Sequence, residues 1–530
     1  MNNVVLVGFM GSGKTTVGRA LADRTGRRFI DLDDEIAADA GRSIADIFTD
    51  EGEAGFRERE SRGLERALRQ DHAIIAAGGG APLRDENWRT IRNGNYVVAL
   101  TAEPAELARR LNGANGRPLL QPDVPSAIAS LLPARMARYL DADLVVNTDG
   151  QSPAEISTHI EGHLPSGGLQ RILIDVPGSP HEVTVGSHLT SMVGAALHRM
   201  KISGTVLVVS DNVVGQRYGG PLIDALAADG ITARLHLVPS GEPAKELAVL
   251  AGIYEALAAS GIDRQGVLVA LGGGAVGDVA GFAAATWMRG IRYLQLPTTL
   301  LAMVDSSIGG KTAINLPAGK NLAGAVHQPS AIFCDLEYLA TLPDEEYRAS
   351  LAEVIKAAVI ADRSLVDWLL VNLPAVLRRD PPAIHEAITR AIAVKAAVVA
   401  QDPEEAGARA ILNYGHTVGH ALERAAGFGR LRHGEAVAWG MEVAAHISVA
   451  SGACRPEAVA PQHTLLGDAG LLAAPPAIER SALLDAMRHD KKSRGGEPRW
   501  VLLRDIGRAE YGKVVDPSVV EASLAKVLPA

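Results

Sequence analysis

The chain has 530 residues, which suggests about three or four domains. Hydrophobic residues make up 47% and charged residues 21%, a balance typical of globular rather than disordered chains. Fifty-two basic against 61 acidic residues give a net charge of −9, which argues against a broad nucleic-acid-binding surface. The only cysteines, Cys334 and Cys454, lie far apart, which argues against a disulfide framework or a thiolate zinc site. No signal peptide or apolar run of about 18–20 residues is visible, so we expect a cytoplasmic protein without a membrane partner.

Strand-like apolar runs alternate with helical stretches from the first residues onward. In the first part, strands are predicted at residues 4–8, 73–79, 96–100 and 143–147. A Pro-Ser-Gly-Gly segment then interrupts the pattern before a new strand begins, and we predict a linker at 163–170. The first domain is therefore expected to span residues 1–162.

A second alternating region follows the linker. Its predicted strands cover residues 205–211, 231–239, 266–274, 291–299 and 331–336. After about residue 340, long alanine-rich amphipathic stretches dominate, with one strand candidate at 499–506. We therefore predict an α/β domain at 171–340 and a mostly helical domain at 341–530.

A phosphate-binding loop opens the first domain. The segment from Gly8 to Thr15 fits G-x4-G-K-[ST] between a strand and a helix, so its backbone N–H groups can wrap a phosphate chain. Lys14 is expected to reach the β- and γ-phosphates and Thr15 to offer its hydroxyl to Mg²⁺. The residues expected to bind ATP are Gly11, Ser12, Gly13, Lys14, Thr15 and Thr16.

Further motifs narrow the phosphoryl acceptor. Asp31 and Asp33 follow a strand, Arg57 lies in FRERE, three glycines fill 78–80, and RPLL begins at Arg117 in a possible lid. Arg135 stands four residues before Tyr139. Arginine guanidinium groups suit a carboxylate, and an aspartate suits a polyol hydroxyl.

In this order the motifs resemble shikimate kinase across about residues 1–162. The resemblance implies a P-loop kinase-type parallel α/β domain that uses ATP and Mg²⁺. It also implies that Asp33, Arg57, Gly79 and Arg135 bind shikimate, that Asp33 activates the accepting hydroxyl, and that Arg117 faces ATP. Another small-metabolite P-loop kinase, such as a gluconate kinase, and a catalytically idle P-loop module remain alternatives.

The second α/β region carries a glycine-rich strand end. The segment LGGGAVGD, ending at Asp278, follows an apolar strand, as a dinucleotide-binding turn would. Metal ligands are suggested by His416 and His420, four residues apart, by His433 in HGE, and by Glu353 in LAEVIK. Lysines beside glycine loops and near these motifs suit a phosphorylated ligand.

The strings LGGGAVGDVAGFAAATWMRGI, LPTTLLAMVDSSIGGKTAIN, LNYGHTVGHALE and HGEAVAWGM resemble 3-dehydroquinate synthase over about residues 170–530. The resemblance implies a Rossmann-like NAD-binding domain followed by a helical metal-binding domain. It implies that Glu353, His416 and His433 hold Zn²⁺ or Co²⁺, whereas helical spacing alone would pair His416 with His420. By resemblance, His420 belongs to the catalytic set.

The same resemblance assigns the remaining positions. NAD is expected at Asp211, Ser240, Gly241, Glu242, Lys245, Gly274, Ala275, Val276, Gly277, Asp278, Thr298, Thr299, Lys311 and Lys320. Substrate or catalytic roles are expected for Lys356, Arg409, Asn413, Lys491 and Lys492. One departure is visible, because the family often has D-x-N-V where this chain has Asp211-Asn212-Val213-Val214, and this puts a ribose hydrogen bond in doubt.

The implied substrate is 3-deoxy-D-arabino-heptulosonate 7-phosphate. Its C5 carbinol is oxidised, the ketone acidifies the adjacent C–H so that phosphate is eliminated, and reduction, ring opening and an aldol closure follow. NAD is used and regenerated within one turnover, so the site must retain it. Metal-dependent polyol dehydrogenases and other sugar-phosphate cyclases are the alternatives. A homo-oligomer through the synthase part is a further expectation.

Overall fold

The structure is a computed structural model that describes residues 3–112, 123–165, 167–202, 204–427, 430–474, 478–488 and 499–528. The chain forms two compact units. The first contains residues 1–171, 186–203 and 222–232, and the second contains residues 172–185, 204–221 and 233–530. Among the described residues, no helix is both long and apolar enough to cross a membrane.

The first unit is built on a parallel five-stranded sheet in the order β2-β3-β1-β4-β5. Its strands are β1 (Val4–Gly8), β2 (Arg28–Asp31), β3 (Ala73–Ala76), β4 (Tyr96–Thr101) and β5 (Leu144–Asn147). Its helices are α1 (Lys14–Thr25), α2 (Leu32–Ala40), α3 (Ile44–Leu68), α4 (Asp85–Arg92), α5 (Pro104–Leu111), α6 (Val124–Tyr139), α7 (Pro153–Gly162) and α8 (Thr190–Arg199).

The central strands of the sheet are apolar along their whole length, as expected for a parallel sheet with helices on both faces. Every residue of β1 and β3 is buried, as the continuous apolar runs VVLV and AIIA require of strands that have helices on both faces. In such a sheet the carboxyl ends of the strands share one edge, where ligands bind. The residues after β1, β2 and β3 therefore come together.

The chain beyond α7 remains attached to this sheet through a buried ion pair. Arg171 Nη2 lies 2.5 Å from Asp143 Oδ2, and the two side chains are 5% and 0% exposed. Arg171 Nη1 also donates to the carbonyl oxygen of Asn95 at 3.0 Å. From α8, Arg199 donates to the carbonyl oxygen of Ala142 at 2.9 Å. These contacts all lie within the first unit.

A seven-stranded sheet in the order β6-β7-β14-β11-β10-β8-β9 follows. The remaining strands are β6 (Gln170–Ile174), β7 (His181–Gly186), β8 (Val206–Asp211), β9 (Ala233–Val238), β10 (Val267–Gly272), β11 (Arg292–Pro297), β12 (Lys311–Leu316), β13 (Gly319–Val326), β14 (Ala331–Asp335), β15 (Trp500–Asp505) and β16 (Arg508–Lys513). The strands β14, β11, β10, β8 and β9 pair in parallel, whereas β12–β13 and β15–β16 are antiparallel hairpins.

Helices dominate the chain after β14, as the alanine-rich stretches predict. The remaining helices are α9 (Asn212–Val214), α10 (Gly220–Ala228), α11 (Leu247–Ala259), α12 (Gly274–Thr286), α13 (Asp344–Ala361), α14 (Arg363–Leu377), α15 (Pro381–Gln401), α16 (His416–Ala426), α17 (His433–Ala450), α18 (Ala460–Asp468), α19 (Arg480–Arg488) and α20 (Pro517–Val527). The predicted fold class, α/β regions followed by a mostly helical part, is confirmed.

Candidate active sites

The phosphate-binding loop joins β1 to α1. Gly11 and Gly13 adopt φ values of 80° and 97°, a left-handed conformation that favours glycine, and Gly13 is the N-cap of α1. Lys14 Nζ donates to the carbonyl oxygens of Gly8 and Phe9 at 2.9 and 3.1 Å. The loop therefore presents backbone N–H groups and one ammonium group at the start of a helix, as phosphate binding requires.

A cleft of about 880 Å³ gathers the predicted kinase residues. All six predicted ATP-binding residues of the loop line it, from Gly11 to Thr16. The four predicted acceptor-binding residues, Asp33, Arg57, Gly79 and Arg135, line it as well. Arg117, the predicted lid residue, lies outside the described residues.

The glycine run after β3 makes room for a buried ion pair. Glu60 is 1% exposed and accepts a hydrogen bond from Arg57 Nη1 at 2.8 Å. A Cβ atom on Gly80 would lie 2.0 Å from Arg57 Nη1, and one on Gly78 would lie 2.6 Å from Glu60 Oε1. Burial raises the pKa of Glu60, while the positive charge of Arg57 opposes that shift. Glu60 was not among the predicted site residues, although it belongs to the FRERE motif.

Two further contacts order the cleft. Arg135 is 6% exposed and lies over the ring of Phe9, with its guanidinium carbon 5.6 Å from the ring centroid. On the nucleotide side, the hydroxyl of Thr15, the predicted Mg²⁺ ligand, donates to Asp31 Oδ2 at 2.7 Å. Asp31 is therefore a second residue that the predicted site set lacks. The sequence already pairs Asp31 with Asp33 after a strand, but no role was predicted for it.

The second site begins at the carboxyl ends of β8, β10 and β11. The helix α12 starts at Gly274, where a Cβ atom would lie 2.8 Å from Ser306 Oγ, so packing against Ser306 leaves no room for a side chain at this position. Thr298 is 4% exposed, and its hydroxyl finds no hydrogen-bond partner in the part of the chain that the structure describes. Such a glycine-lined strand end with an unsatisfied hydroxyl fits a dinucleotide. The predicted NAD residues Gly274, Ala275, Val276, Gly277, Asp278, Thr298 and Thr299 lie here.

Two other predicted NAD residues, Asp211 and Lys245, make polar contacts within the protein. The Asp211 carboxylate accepts the N–H groups of Val213 and Val214 at 2.9 and 3.0 Å and caps α9. Buried Lys245 contacts both Asp278 and Asn321. Burial raises the pKa of Asp278 above its usual range, and the positive charge of Lys245 opposes that shift only in part.

The exposed loop before α11 contains three more of the predicted NAD residues. Ser240 and Gly241 are exposed, and Glu242 begins the short turn Glu242–Lys245. Glu242 Oε1 lies 3.7 Å from the Nζ atom of Lys320, which is on β13, so two predicted NAD residues lie close together. Asn315, from β12, also donates to Glu242 Oε2 at 2.6 Å.

Three predicted metal ligands converge in the second unit. Glu353 Oε1 lies 3.6 Å from His416 Nε2 and 3.7 Å from His433 Nε2, although the residues come from α13, α16 and α17. Glu353 is 3% exposed, and its Oε1 has no hydrogen-bond partner among the described residues. A buried carboxylate oxygen facing two imidazole nitrogens is a donor set that suits Zn²⁺ or Co²⁺.

The electrostatics of this cluster favour a cation. Burial opposes protonation of His433, but the carboxylates of Glu353 and Glu423 outweigh it and raise the pKa of His433 to about 10. Burial also raises the pKa of Glu353, while Lys356 and His433 bring it below its usual range. Lys356 contacts Glu353 directly, and both side chains are almost fully buried. The surrounding positive charges therefore favour the ionised form of Glu353, the form that binds a metal ion.

His420 belongs to a second, overlapping donor set. Its ring centroid is 5.3 Å from that of His416 and 6.0 Å from that of His433. Donor atoms of His420, Glu423 and His433 lie within 4.8 Å of one another, as do those of Glu353, His416 and His433. Geometry alone therefore leaves both sets possible, but only the first contains a buried oxygen without a hydrogen-bond partner.

Three further predicted site residues, Lys311, Arg409 and Asn413, are held by contacts within the second unit. Asn413 Nδ2 donates to Glu405 Oε1 at 3.0 Å, and Lys311, a predicted NAD residue, contacts the same carboxylate. Arg409 is 3% exposed and donates to the carbonyl oxygen of Gly309 at 3.0 Å. The predicted residues Lys491 and Lys492 lie outside the described residues.

An ion pair that the predicted set lacks lies near Lys356 and His433. Lys395 contacts the Asp305 carboxylate and also donates to the Asp305 carbonyl oxygen at 2.6 Å. Burial raises the pKa of Asp305, but Lys395 and Lys356 outweigh it and hold the pKa well below its usual range. These charges come from the short helical turn Ala302–Ser306 and from α15, so tertiary packing alone brings them together.

The chain thus combines a P-loop kinase site with a metal- and dinucleotide-type site at the edge of a parallel sheet. The family model of shikimate kinase matches residues 10–164. The models described as 3-dehydroquinate synthase N-terminal and C-terminal match residues 235–349 and 350–493.

Individual proteins agree with these matches. A 3-dehydroquinate synthase of Syntrophotalea carbinolica is 42% identical over 68% of this chain and 99% of its own length. The structure of ValA, a 2-epi-5-epi-valiolone synthase from Streptomyces hygroscopicus with NAD⁺ and Zn²⁺ bound, has a TM-score of 0.61 at 28% identity, covering 66% of this chain and 96% of that one. A 2-deoxy-scyllo-inosose synthase complexed with carbaglucose-6-phosphate, NAD⁺ and Co²⁺ also has a TM-score of 0.61, at 26% identity over 68% of this chain and 99% of that one.

The chain belongs to the 3-dehydroquinate synthase family and carries a shikimate kinase domain ahead of the synthase region. It is therefore an enzyme with two activities on small-molecule substrates.

Proposed function

We propose that this chain phosphorylates shikimate with ATP and converts 3-deoxy-D-arabino-heptulosonate 7-phosphate to 3-dehydroquinate and phosphate, at two separate sites. The observation that carries the synthase assignment is the buried oxygen of Glu353, faced by two imidazole nitrogens at 3.6 and 3.7 Å. The cleft that joins the phosphate-binding loop to two arginines carries the kinase assignment. The proposal includes three domains, at residues 1–162, 171–340 and 341–530, with a linker at 163–170.

In the kinase, positioning supplies most of the catalysis. Lys14 and the loop N–H groups hold the nucleotide phosphates, and Thr15 holds Mg²⁺ beside Asp31. Arg57 and Arg135 bind the acceptor carboxylate, while Asp33 accepts the hydroxyl proton. Glu60 fixes Arg57, because their hydrogen bond is shielded from water on the Glu60 side. ATP supplies the transferred phosphoryl group.

In the synthase, we propose NAD⁺ in the glycine-lined cradle and Zn²⁺ or Co²⁺ on Glu353, His416 and His433. The cofactors supply reversible hydride acceptance and Lewis acidity. Lys356, which contacts the Glu353 carboxylate from the same helix, is proposed to bind the substrate. Arg409 and Asn413 bind anionic and hydroxyl groups of the substrate, and His420 moves a proton.

The acidity of the substrate C–H beside the C5 ketone explains why the proposed hydride acceptor, base and phosphate-binding residues belong in one site. A ketone at C5 lowers the barrier to removing the neighbouring proton, so the residue that takes this proton must lie close to the cations that hold the phosphate. Lys311 and Asn413 contact the same carboxylate, so the proposed NAD residue Lys311 lies close to the proposed substrate residue Asn413. Phosphate can then leave while the ring is still held by the protein.

An idle kinase module is the main competing interpretation for the first unit. The retained Lys14, Thr15, Asp33 and Arg57 argue against it, since each lines the same cleft. The decisive experiment assays the purified chain with each substrate separately, with and without ATP or NAD⁺. Phosphorylation of shikimate without dehydroquinate formation, or the reverse, would contradict the two-enzyme proposal, and net NADH production would indicate a dehydrogenase instead.

We also propose a cytoplasmic location, where ATP and NAD⁺ are both available, and a homo-oligomer formed through the synthase region. Cell fractionation tests the first statement. Light scattering of the full chain and of the chain without its kinase region tests the second, because the two should have the same number of subunits.

A further inference from the structure

The two imidazole ligands of the proposed metal site have different outer partners. His416 Nδ1 lies 3.1 Å from the Tyr414 carbonyl oxygen, whereas His433 Nδ1 lies 3.2 Å from Glu423 Oε2. The Nε2 atom of each ring faces Glu353. A neutral imidazole carries one N–H, so each ring can donate from Nδ1 outward and keep the Nε2 lone pair for a metal.

We propose that Glu423 is a positioning residue for the metal site. Its carboxylate holds His433 in the tautomer that is protonated on Nδ1, and its negative charge makes the Nε2 atom a stronger donor. This inference rests on the metal site of the proposed function. A carboxylate that accepts the second N–H of a ligating histidine commonly orients the ring and raises its basicity.

The helix geometry explains how one element serves both ligands. His416 is the first residue of α16, and Glu423 lies seven residues later, which places both on one face of the helix. The face turns toward α17, whose first residue is His433. The Glu423 side chain is 17% exposed, so solvent screens its interaction with His433 less than that of a surface carboxylate. Thus α16 supplies one ligand and orients the other.

The overlapping set of His420, Glu423 and His433 offers a competing interpretation, a second metal ion. That ion would need the Nδ1 lone pair of His433, while the first ion uses Nε2. His433 would then have to lose its only N–H, which a neighbouring carboxylate is well placed to accept as a hydrogen bond instead. The proposal therefore requires one metal ion for each chain.

The test is competition between the full-length protein and a chromophoric chelator for Zn²⁺, and separately for Co²⁺, in wild type, Glu423→Ala and Glu423→Gln. A matched control is Glu435→Ala, since Glu435 lies on α17 two residues after His433 but bonds Arg432, with its Oε2 accepting the Arg432 N–H at 3.1 Å. Thermal unfolding of the metal-free proteins shows whether each variant is folded.

We expect one metal equivalent in wild type. Glu423→Ala should weaken binding by about 10–100-fold and change the visible absorption of bound Co²⁺. Glu423→Gln should lose less than Glu423→Ala, because the amide oxygen can still accept the Nδ1–H. Glu435→Ala should bind like wild type.

Several results would overturn the proposal. Unchanged affinity and Co²⁺ absorption in Glu423→Ala would remove the role of Glu423, and equal losses in Glu423→Ala and Glu423→Gln would remove the tautomer argument. Two metal equivalents in wild type, with one lost in Glu423→Ala, would make Glu423 a ligand of a second ion. A wild-type chain that binds neither metal would instead contradict the proposed function itself.

Discussion

Replacing His416 and His420 one at a time separates the two possible ligand sets of the synthase site. Both residues lie on α16, four positions apart, so the variants remove the same side chain from the same helix. His416→Ala should purify largely without metal, and so should His433→Ala and Glu353→Ala. His420→Ala should keep near-stoichiometric metal and lose turnover.

The distances are compatible with the first set. Two donors bound tetrahedrally at about 2.1 Å from a zinc ion lie about 3.4 Å apart. Glu353 Oε1 is 3.6 and 3.7 Å from the two imidazole nitrogens, so a shift of about 0.3 Å would bring these donors to ligand spacing. Loss of a residue outside the ligand set typically costs about 10–100-fold in metal affinity, or roughly 1.4–2.7 kcal/mol, and loss of one ligand of three should cost more.

Elemental analysis of the purified variants, followed by turnover assays, measures the outcome. Because Glu353 and Lys356 form a buried pair, Glu353→Ala can also destabilise the fold by about 3–5 kcal/mol, and Glu353→Gln is the gentler companion. His463→Ala is the control, since that side chain is 70% exposed. A metal-free His420→Ala beside a metal-replete His416→Ala would refute the proposed ligand set.

Three further predictions concern the kinase. Lys14→Ala should remove phosphate binding and abolish most shikimate phosphorylation while dehydroquinate formation stays near wild type, and loss of both activities in a folded protein would contradict separate sites. Arg57→Ala and Arg135→Ala should each raise the KM for shikimate roughly 10–150-fold with little change in ATP affinity, because each removes charge-assisted hydrogen bonds; unchanged shikimate binding in calorimetry would favour another acceptor. Glu60→Ala should cost about 1–3 kcal/mol in thermal unfolding and also raise this KM, whereas an unchanged KM would limit Glu60 to a structural role.

The sequence predicts those parts of the sites that are contiguous in the chain. The phosphate-binding loop needs only a strand, glycines and a lysine in sequence, and the structure has this order between β1 and α1. The pattern of apolar runs likewise predicts the parallel strands, because strands covered on both faces contain few polar residues. The predicted ligands Glu353, His416 and His433 came from the family resemblance, since spacing alone favoured His420.

The sequence does not predict which distant side chains meet through tertiary packing. Asp305 and Lys395 are separated by ninety positions, and neither lies in a pattern that indicates the other. Glu60 differs from Glu58, the other glutamate of FRERE, because Gly78 and Gly80 leave space for its ion pair with Arg57. Burial and long-range approach, which decide these roles, have no local signal in the sequence.

The buried pair of Arg171 and Asp143 bears on where this gene could be divided. A kinase fragment that stopped at residue 162 would leave Asp143, whose side chain is 0% exposed, without its guanidinium partner. One oxygen of that carboxylate would still accept the Val97 N–H at 2.9 Å, but an uncompensated buried charge typically costs about 3–5 kcal/mol. A free-standing kinase should therefore extend through Arg171 or carry Asp143→Asn, so a stable fragment is longer than the proposed kinase domain of residues 1–162.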